Sequence, residues 1–198
     1  MFQPYVKERK INIFYFDPDP KECAHQHCDK HCIKMIVEYA QLLSTAHRVL
    51  DGVESIQKSL SGRNQKVWTL SFQPHEQILY KATHINHPSN RWVRENYENY
   101  AWLADLFLFL TQEYTERYGK VHKCEAMFES LAYAPFNIPT GIFTPPWRAM
   151  PEEFKVDKSG NDKYCEQSYH AYFNNTKRHI AKWKHNDIPP WFIPTKET

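Results

Sequence analysis

The sequence predicts an α+β fold, a mainly α-helical single domain over residues 1–198 that carries a small β-sheet. Three observations lead there. Apolar residues recur at helical spacing over two long stretches, residues 27–50 and 90–118. Runs rich in branched and aromatic residues are short and few. The 198 residues contain no repeat, low-complexity tract or linker, and this is the length of one domain with a real core.

The elements follow in order. Ile11-Asn12-Ile13-Phe14-Tyr15-Phe16 reads as a buried strand that stops at Asp17-Pro18-Asp19-Pro20. From about His27 to Leu50 the pattern is helical. Cys28, Cys32, Met35, Tyr39, Leu42, Leu43, Ala46 and Leu50 share one side, with Lys30, Lys34, Glu38, Gln41, Thr45 and Arg48 opposite. Asp51-Gly52 ends that helix. Ser59 to Lys66 is a polar loop around Gly62, leading into a hairpin through Val67–Leu70 and Ile78–Tyr80.

Beyond Pro88, a second long helix is expected from about Asn90 to Tyr118, with Gly119 as its C-terminal stop. Glu125 to Ala132 reads as a shorter helix. Five prolines between Pro135 and Pro151 impose irregular chain. A last helix is expected over Asp162 to Trp183, followed by a rigid tail at Pro189-Pro190-Trp191-Phe192.

Composition narrows the function. Aromatic residues make up 15% of a chain whose mean hydropathy is only −0.71, a mixture that suits a ring-lined, wet surface for bases, nucleotides or sugars. A net charge of +2 gives no global field toward nucleic acid, so any basic footprint must be local. Three of the five cysteines crowd into residues 23–32, which does not read as a secreted disulfide framework. No charged-then-apolar pattern of a signal peptide is read, so none is expected, and the longest apolar run, Leu103 to Leu110, is interrupted by Asp105. The expectation is a soluble cytoplasmic protein with no membrane partner and no cofactor.

The chemistry-bearing residues gather in five places. In Cys23 to Cys32, the pairs His27/His31 and Cys28/Cys32 have the four-residue spacing of zinc ligands on a helix face, with His122 and Cys124 as a possible second pair. Because Cys28 and Cys32 fall on the apolar side, packed thiols are the favoured reading and no metal is assigned. In the loop Thr83-His84-Ile85-Asn86-His87-Pro88, two imidazoles and a carboxamide exceed what a helix cap needs. Around Gly119, the residues Arg117, Lys120, His122 and Lys123 suit a phosphate, although cations at a helix end also complement its dipole. Lys30, Lys34 and Glu38 form a polar stripe that Asp17 and Asp29 are expected to approach, supplying carboxylates for acid–base chemistry. Tyr164, Tyr169, Tyr172, Phe173 and Trp183 are read as core, with Trp191 as an outside candidate for base stacking.

Taken in order, Phe16-Asp17-Pro18-Asp19, Cys28-Asp29-Lys30-His31 with Lys34-Met35, Glu38-x-x-Gln41-Leu42-Leu43-Ser44-Thr45-Ala46, Thr83-His84-x-Asn86-His87-Pro88 and Tyr114-x-x-Arg117-Tyr118-Gly119-Lys120-x-His122-Lys123 resemble a family of small proteins of tailed bacteriophages and some bacteria. The likeness runs to Pro190-x-Phe192 and implies a phage-related setting rather than a particular reaction. Cys32 and His25 stand outside that pattern. Locally, Asp17-Pro18 and His87-Pro88-Ser89 also look like the water-activating and His-Pro-Ser motifs of uracil-DNA glycosylases, with a shorter spacing.

The resulting expectation is an N-glycosidic hydrolase that excises a base from modified phage DNA. Asp17 or Asp29 would serve the water or sugar cation, and His84 or His87 the leaving base. Lys30, Lys34, Glu38, Asn86, Arg117, Lys120, His122 and Lys123 would hold substrate and phosphate. The alternative is a nucleotide-binding transferase, or a protein that sequesters a nucleotide in phage–host conflict.

Overall fold

A computed structural model describes residues 11–59 and 61–194. Chain order runs through α1 (Pro20–His25), α2 (Asp29–Asp51), β1 (Val53–Lys58), β2 (Asn64–Thr69), α3 (Gln73–Ile78), α4 (Pro88–Val93), α5 (Tyr97–Tyr118), α6 (Phe128–Leu131) and α7 (Tyr164–Asn174). The fold is α+β and mainly helical, with β1 and β2 as its antiparallel pair in register Val53 to Thr69 through Lys58 to Asn64. The expected loop at residues 59–66 is thus shortened by strand pairing.

The two long helices pack on each other, and α1 and α4 close against α5. Between them lie Met35, Ile36, Tyr39, Leu42, Leu43, Leu103, Leu106, Phe107 and Leu110, all with essentially no exposed surface. The apolar side expected for α2 therefore faces the core. Thr45 and Arg48, expected on the polar side, are buried as well. Thr45 Oγ1 accepts from the Thr83 N–H at 3.2 Å, and Arg48 donates to the carbonyls of Trp68, Glu76, Leu79 and Tyr80. A polar side chain can turn inward when such partners satisfy every donor.

Four further elements differ from the sequence expectation. Residues 11–16 are buried, extended chain but no strand. Side chains meet their backbone groups instead: Glu38 accepts from Asn12 N, Tyr39 from Phe14 N and Cys23 from Phe16 N, while His170 bonds Phe16 O. The hairpin lies over 53–69 rather than 67–80, because α3, with Pro74 in its first turn, fills the connection between the expected strands and takes up Ile78.

The helix expected over 90–118 is broken between α4 and α5. Asn96 caps α5 by accepting from Asn99 N at 2.9 Å, and the chain at Gly141 presses against it. Gly119, with φ 63°, ends α5 in the left-handed conformation glycine favours. The last helix stops at Asn174 rather than Trp183. There the Asn174 carboxamide bonds the backbone of Trp191 and Ile193, anchoring the tail. Residues 135–151 are irregular as expected.

Trp191 is not a free platform. It stacks on His170 at 4.3 Å and donates to Gln26 Oε1 at 2.6 Å. No helix among the described residues is long and apolar enough to cross a membrane.

Candidate functional site

A cleft of about 1030 Å³ opens between residues 11–14, α2, the loop 84–88, the segment 147–151 and the region around α7. From α2 it receives His31, Lys34 and Glu38, whose three- and four-residue spacing puts them on one helix face. Glu38 is the single carboxylate among the described lining residues. Its Oε1 sits 2.7 Å from Lys34 Nζ, and its Oε2 accepts from Asn12 N at 3.1 Å.

His84, Asn86 and His87 line the opposite wall. His84 adopts φ 49°, the only non-glycine residue described with positive φ, a conformation that costs free energy for any residue carrying a Cβ. The loop is braced around it. The His84 carbonyl accepts from His87 N at 2.8 Å and from the Asn90 carboxamide at 3.2 Å, and Asn90 also holds Thr83 O at 2.8 Å. His87 Nδ1 accepts from Ser89 N at 3.2 Å, so this imidazole also caps α4.

The remaining cations come from the C-terminal half of the chain. Arg148 donates through Nη1 to Val156 O and to Ser168 Oγ, and its guanidinium lies 4.8 Å from the Tyr164 ring centre. Lys155 pairs with exposed Glu152, and Lys177 sits over the Tyr172 ring at 5.4 Å. Lys34, Arg148, Lys155 and Lys177 thus face one carboxylate around a cleft walled by Phe14, Trp147 and Tyr172.

On the floor, His31 lies flat against Phe14 at 4.5 Å with the edge of Phe173 at 5.3 Å. Burial pushes its pKa well below the ordinary histidine value, and His27, Lys177, Lys34 and Lys30 push the same way. The ring is therefore neutral at pH 7.

Of the residues singled out from sequence, Lys34, Glu38, His84, Asn86 and His87 meet in this cleft. The others do not join them. Asp17 accepts from Asp19 N at 2.9 Å and lies toward Glu166 and His170. Asp29 and Lys30 border a separate, shallower hollow of about 410 Å³ with Lys182, Lys184 and two histidines. There Asp29 Oδ2 accepts from Lys184 N at 2.8 Å.

Arg117 is buried and structural. It forks onto Glu113 at 2.9 and 2.6 Å and donates to the carbonyls of His27 and His25. All three guanidinium nitrogens are committed, which leaves no fork for a phosphate. Lys120 and Lys123 are exposed and border neither cavity. His122 caps the 3-10 turn Lys123–Met127 by accepting from Cys124 N at 3.2 Å.

The cysteine cluster consists of packed thiols. Cys23 donates to Phe14 O, and burial raises both Cys23 and Cys32 to about 12. His27 is wedged between Cys23 O at 2.7 Å and the Tyr39 hydroxyl at 2.8 Å. No group of three or more His, Cys, Asp or Glu placed to hold a metal occurs among the described residues.

Sequence reasoning missed Arg148, Lys155 and Lys177 in the cleft and left His31 to the cysteine cluster. For His31 a signal existed: it shares the helical spacing of Lys34 and Glu38. For Arg148, inside the proline-rich chain, no periodicity existed to read. Comparison with protein-family models, curated proteins and solved structures returns no match for this chain.

Proposed function

We propose that the cleft binds a phosphorylated nucleoside, free in solution, and that the protein acts on nucleotides by capture or group transfer. One observation carries this reading: four cationic side chains face one carboxylate across a ring-walled cleft of about 1030 Å³. That volume is at the upper end for small-molecule sites. Lysine and arginine supply charge and directed donors for a phosphate, and the rings supply faces for a planar base. Calorimetry with nucleoside monophosphates and cyclic dinucleotides tests it. Binding that weakens about tenfold or more in Arg148→Ala is expected from the loss of a charge-assisted contact. Absence of heat with every nucleotide removes the proposal.

Base excision from DNA is a second reading, favoured by Glu38 lying in the same cleft as His84 and His87. Asp17 and Asp29 border other regions, so here the carboxylate role passes to Glu38. It would position water or stabilise the sugar cation, while an imidazole assists the departing base. Incubation with hypermodified and unmodified phage DNA should then give alkali-labile abasic sites, and Glu38→Gln should lower the rate by roughly 10²–10⁴. No base release from either DNA ends this reading.

A further inference from the structure

The other buried imidazoles described in the core all have hydrogen-bond partners. His27 has Cys23 O and Tyr39, and His47 has the Tyr100 hydroxyl at 2.9 Å; even the half-buried His170 has Phe16 O at 3.0 Å. His31 is only 3% exposed, yet Nδ1 has no partner, and no hydrogen bond reaches its ring among the described residues. A buried polar group left unmet is destabilising and calls for an explanation. Phe14 covers one face of the ring and Phe173 packs edgewise against it; the ring also borders the cleft.

The rest of the floor offers no comparable group. The Asn12 carboxamide is already used, donating to Ala149 O at 3.2 Å and accepting from Ile13 N at 2.8 Å. Glu38 is held by Lys34 and Asn12 N. Among the described residues of the floor, His31 is the polar side chain whose hydrogen-bonding capacity is unused.

We propose that His31 reads the base of the bound nucleotide, accepting or donating one hydrogen bond at the base edge while Lys34, Arg148 and Lys177 hold the phosphate. This deepens the nucleotide reading and rests on it. A neutral imidazole carries one donor and one acceptor, the pairing a nucleobase edge presents. A second phosphate at this position would instead call for an imidazolium. Burial and the neighbouring lysines oppose that charge. The ligand is therefore a nucleoside phosphate with its base inward and its phosphate toward the cations, rather than a polyphosphate or a plain sugar phosphate.

The test compares four nucleoside 5′-monophosphates with ribose 5-phosphate, by calorimetry on the full chain. At least one monophosphate should bind about tenfold or more tightly than ribose 5-phosphate, the worth of one hydrogen bond to a buried group. His31→Phe keeps a flat ring against Phe14 and should erase that preference, leaving ribose 5-phosphate binding unchanged. Nitrogen-15 resonances of the His31 ring in the unsubstituted protein give a readout independent of any variant. They should shift with the preferred monophosphate and stay in place with ribose 5-phosphate. A preference that survives in His31→Phe, or a His31 ring blind to the monophosphate, overturns the assignment. Equal affinity for ribose 5-phosphate and every monophosphate overturns it too, while leaving the phosphate cleft standing; binding of neither class takes down both.

Discussion

Arg48 Nη1 lies 2.6 Å from Glu76 Oε2, and the arginine has no exposed surface. This pair ties the C-terminal half of α2 to α3. The same carboxylate accepts from Leu70 N at 2.9 Å and from Lys81, so one acid organises the end of β2 and the start of the 81–88 chain. Partial burial would raise the Glu76 pKa, but hydrogen bonds from Lys81, Leu70 and Arg48 hold it at about 2. Glu76→Ala strands a buried guanidinium and is expected to destabilise the fold by about 3–5 kcal/mol, measured by urea unfolding. The folded pKa is depressed, so this contribution is present above pH 4.5 and is lost as pH falls toward 2.

Acid should weaken the protein well before that range. His27 is lowered to about 3, and His47 and His170 to about 4, in each case chiefly by burial. Their unfolded forms take up protons near 6.5, so between 6.5 and 4 the unfolded state binds more protons than the native one. Stability therefore falls with pH across that window, by roughly 2 kcal/mol for each histidine at pH 5. Thermal melts at pH 7.5 and 5.0 should show a large drop, reduced by about that amount in a His27→Gln variant relative to its own value at pH 7.5.

Arg148 and Arg117 should give opposite signatures. Arg148→Ala is expected to weaken nucleotide binding about tenfold or more, with a stability loss of only about 1–3 kcal/mol from the bonds to Val156 O and Ser168 Oγ. Arg117→Ala removes the ties to Glu113, His25 and His27 and should destabilise by about 3–5 kcal/mol. Its folded fraction should bind nucleotide as the parent does. Calorimetry and denaturant titration of both variants separate the two roles, and a binding defect in Arg117→Ala would mean that the 117–123 turn reaches the ligand.

Gly141 has no room for a side chain. A Cβ there would lie 2.6 Å from Asn96 Cβ and 2.9 Å from Asn96 Cγ, at the residue that caps α5. Gly141→Ala should displace the cap and destabilise by about 1–3 kcal/mol. The melting temperature should drop by roughly 2–4 °C for each kcal/mol. An unchanged melting temperature would show that the proline-rich segment yields more easily than the cap.

Lys34 and Glu38 could be placed together from sequence because helical periodicity fixes neighbours within a turn. His84, Asn86 and His87 could be placed on a loop because Pro88 ends what precedes it. Their meeting across the cleft is tertiary, and so is the arrival of Arg148, Lys155 and Lys177. Arg48 shows the limit most clearly: its position on the helix suggests solvent, but four carbonyls from residues 68–80 draw it inside. Residues 11–16 were legible as buried from their apolar run. Their lack of a partner strand was not, because the groups that replace one are the side chains of Cys23, Glu38, Tyr39 and His170.

All five cysteines are free and buried, and burial raises every one of their pKa values. Neither the thiolate nor the access that alkylating agents and peroxides require is available in the native state. The rate at which these thiols react therefore measures how often the chain opens, making them five built-in clocks spread from α1 to α7. If the core opens as one unit they will run together; if α7 loosens alone, Cys165 will run ahead.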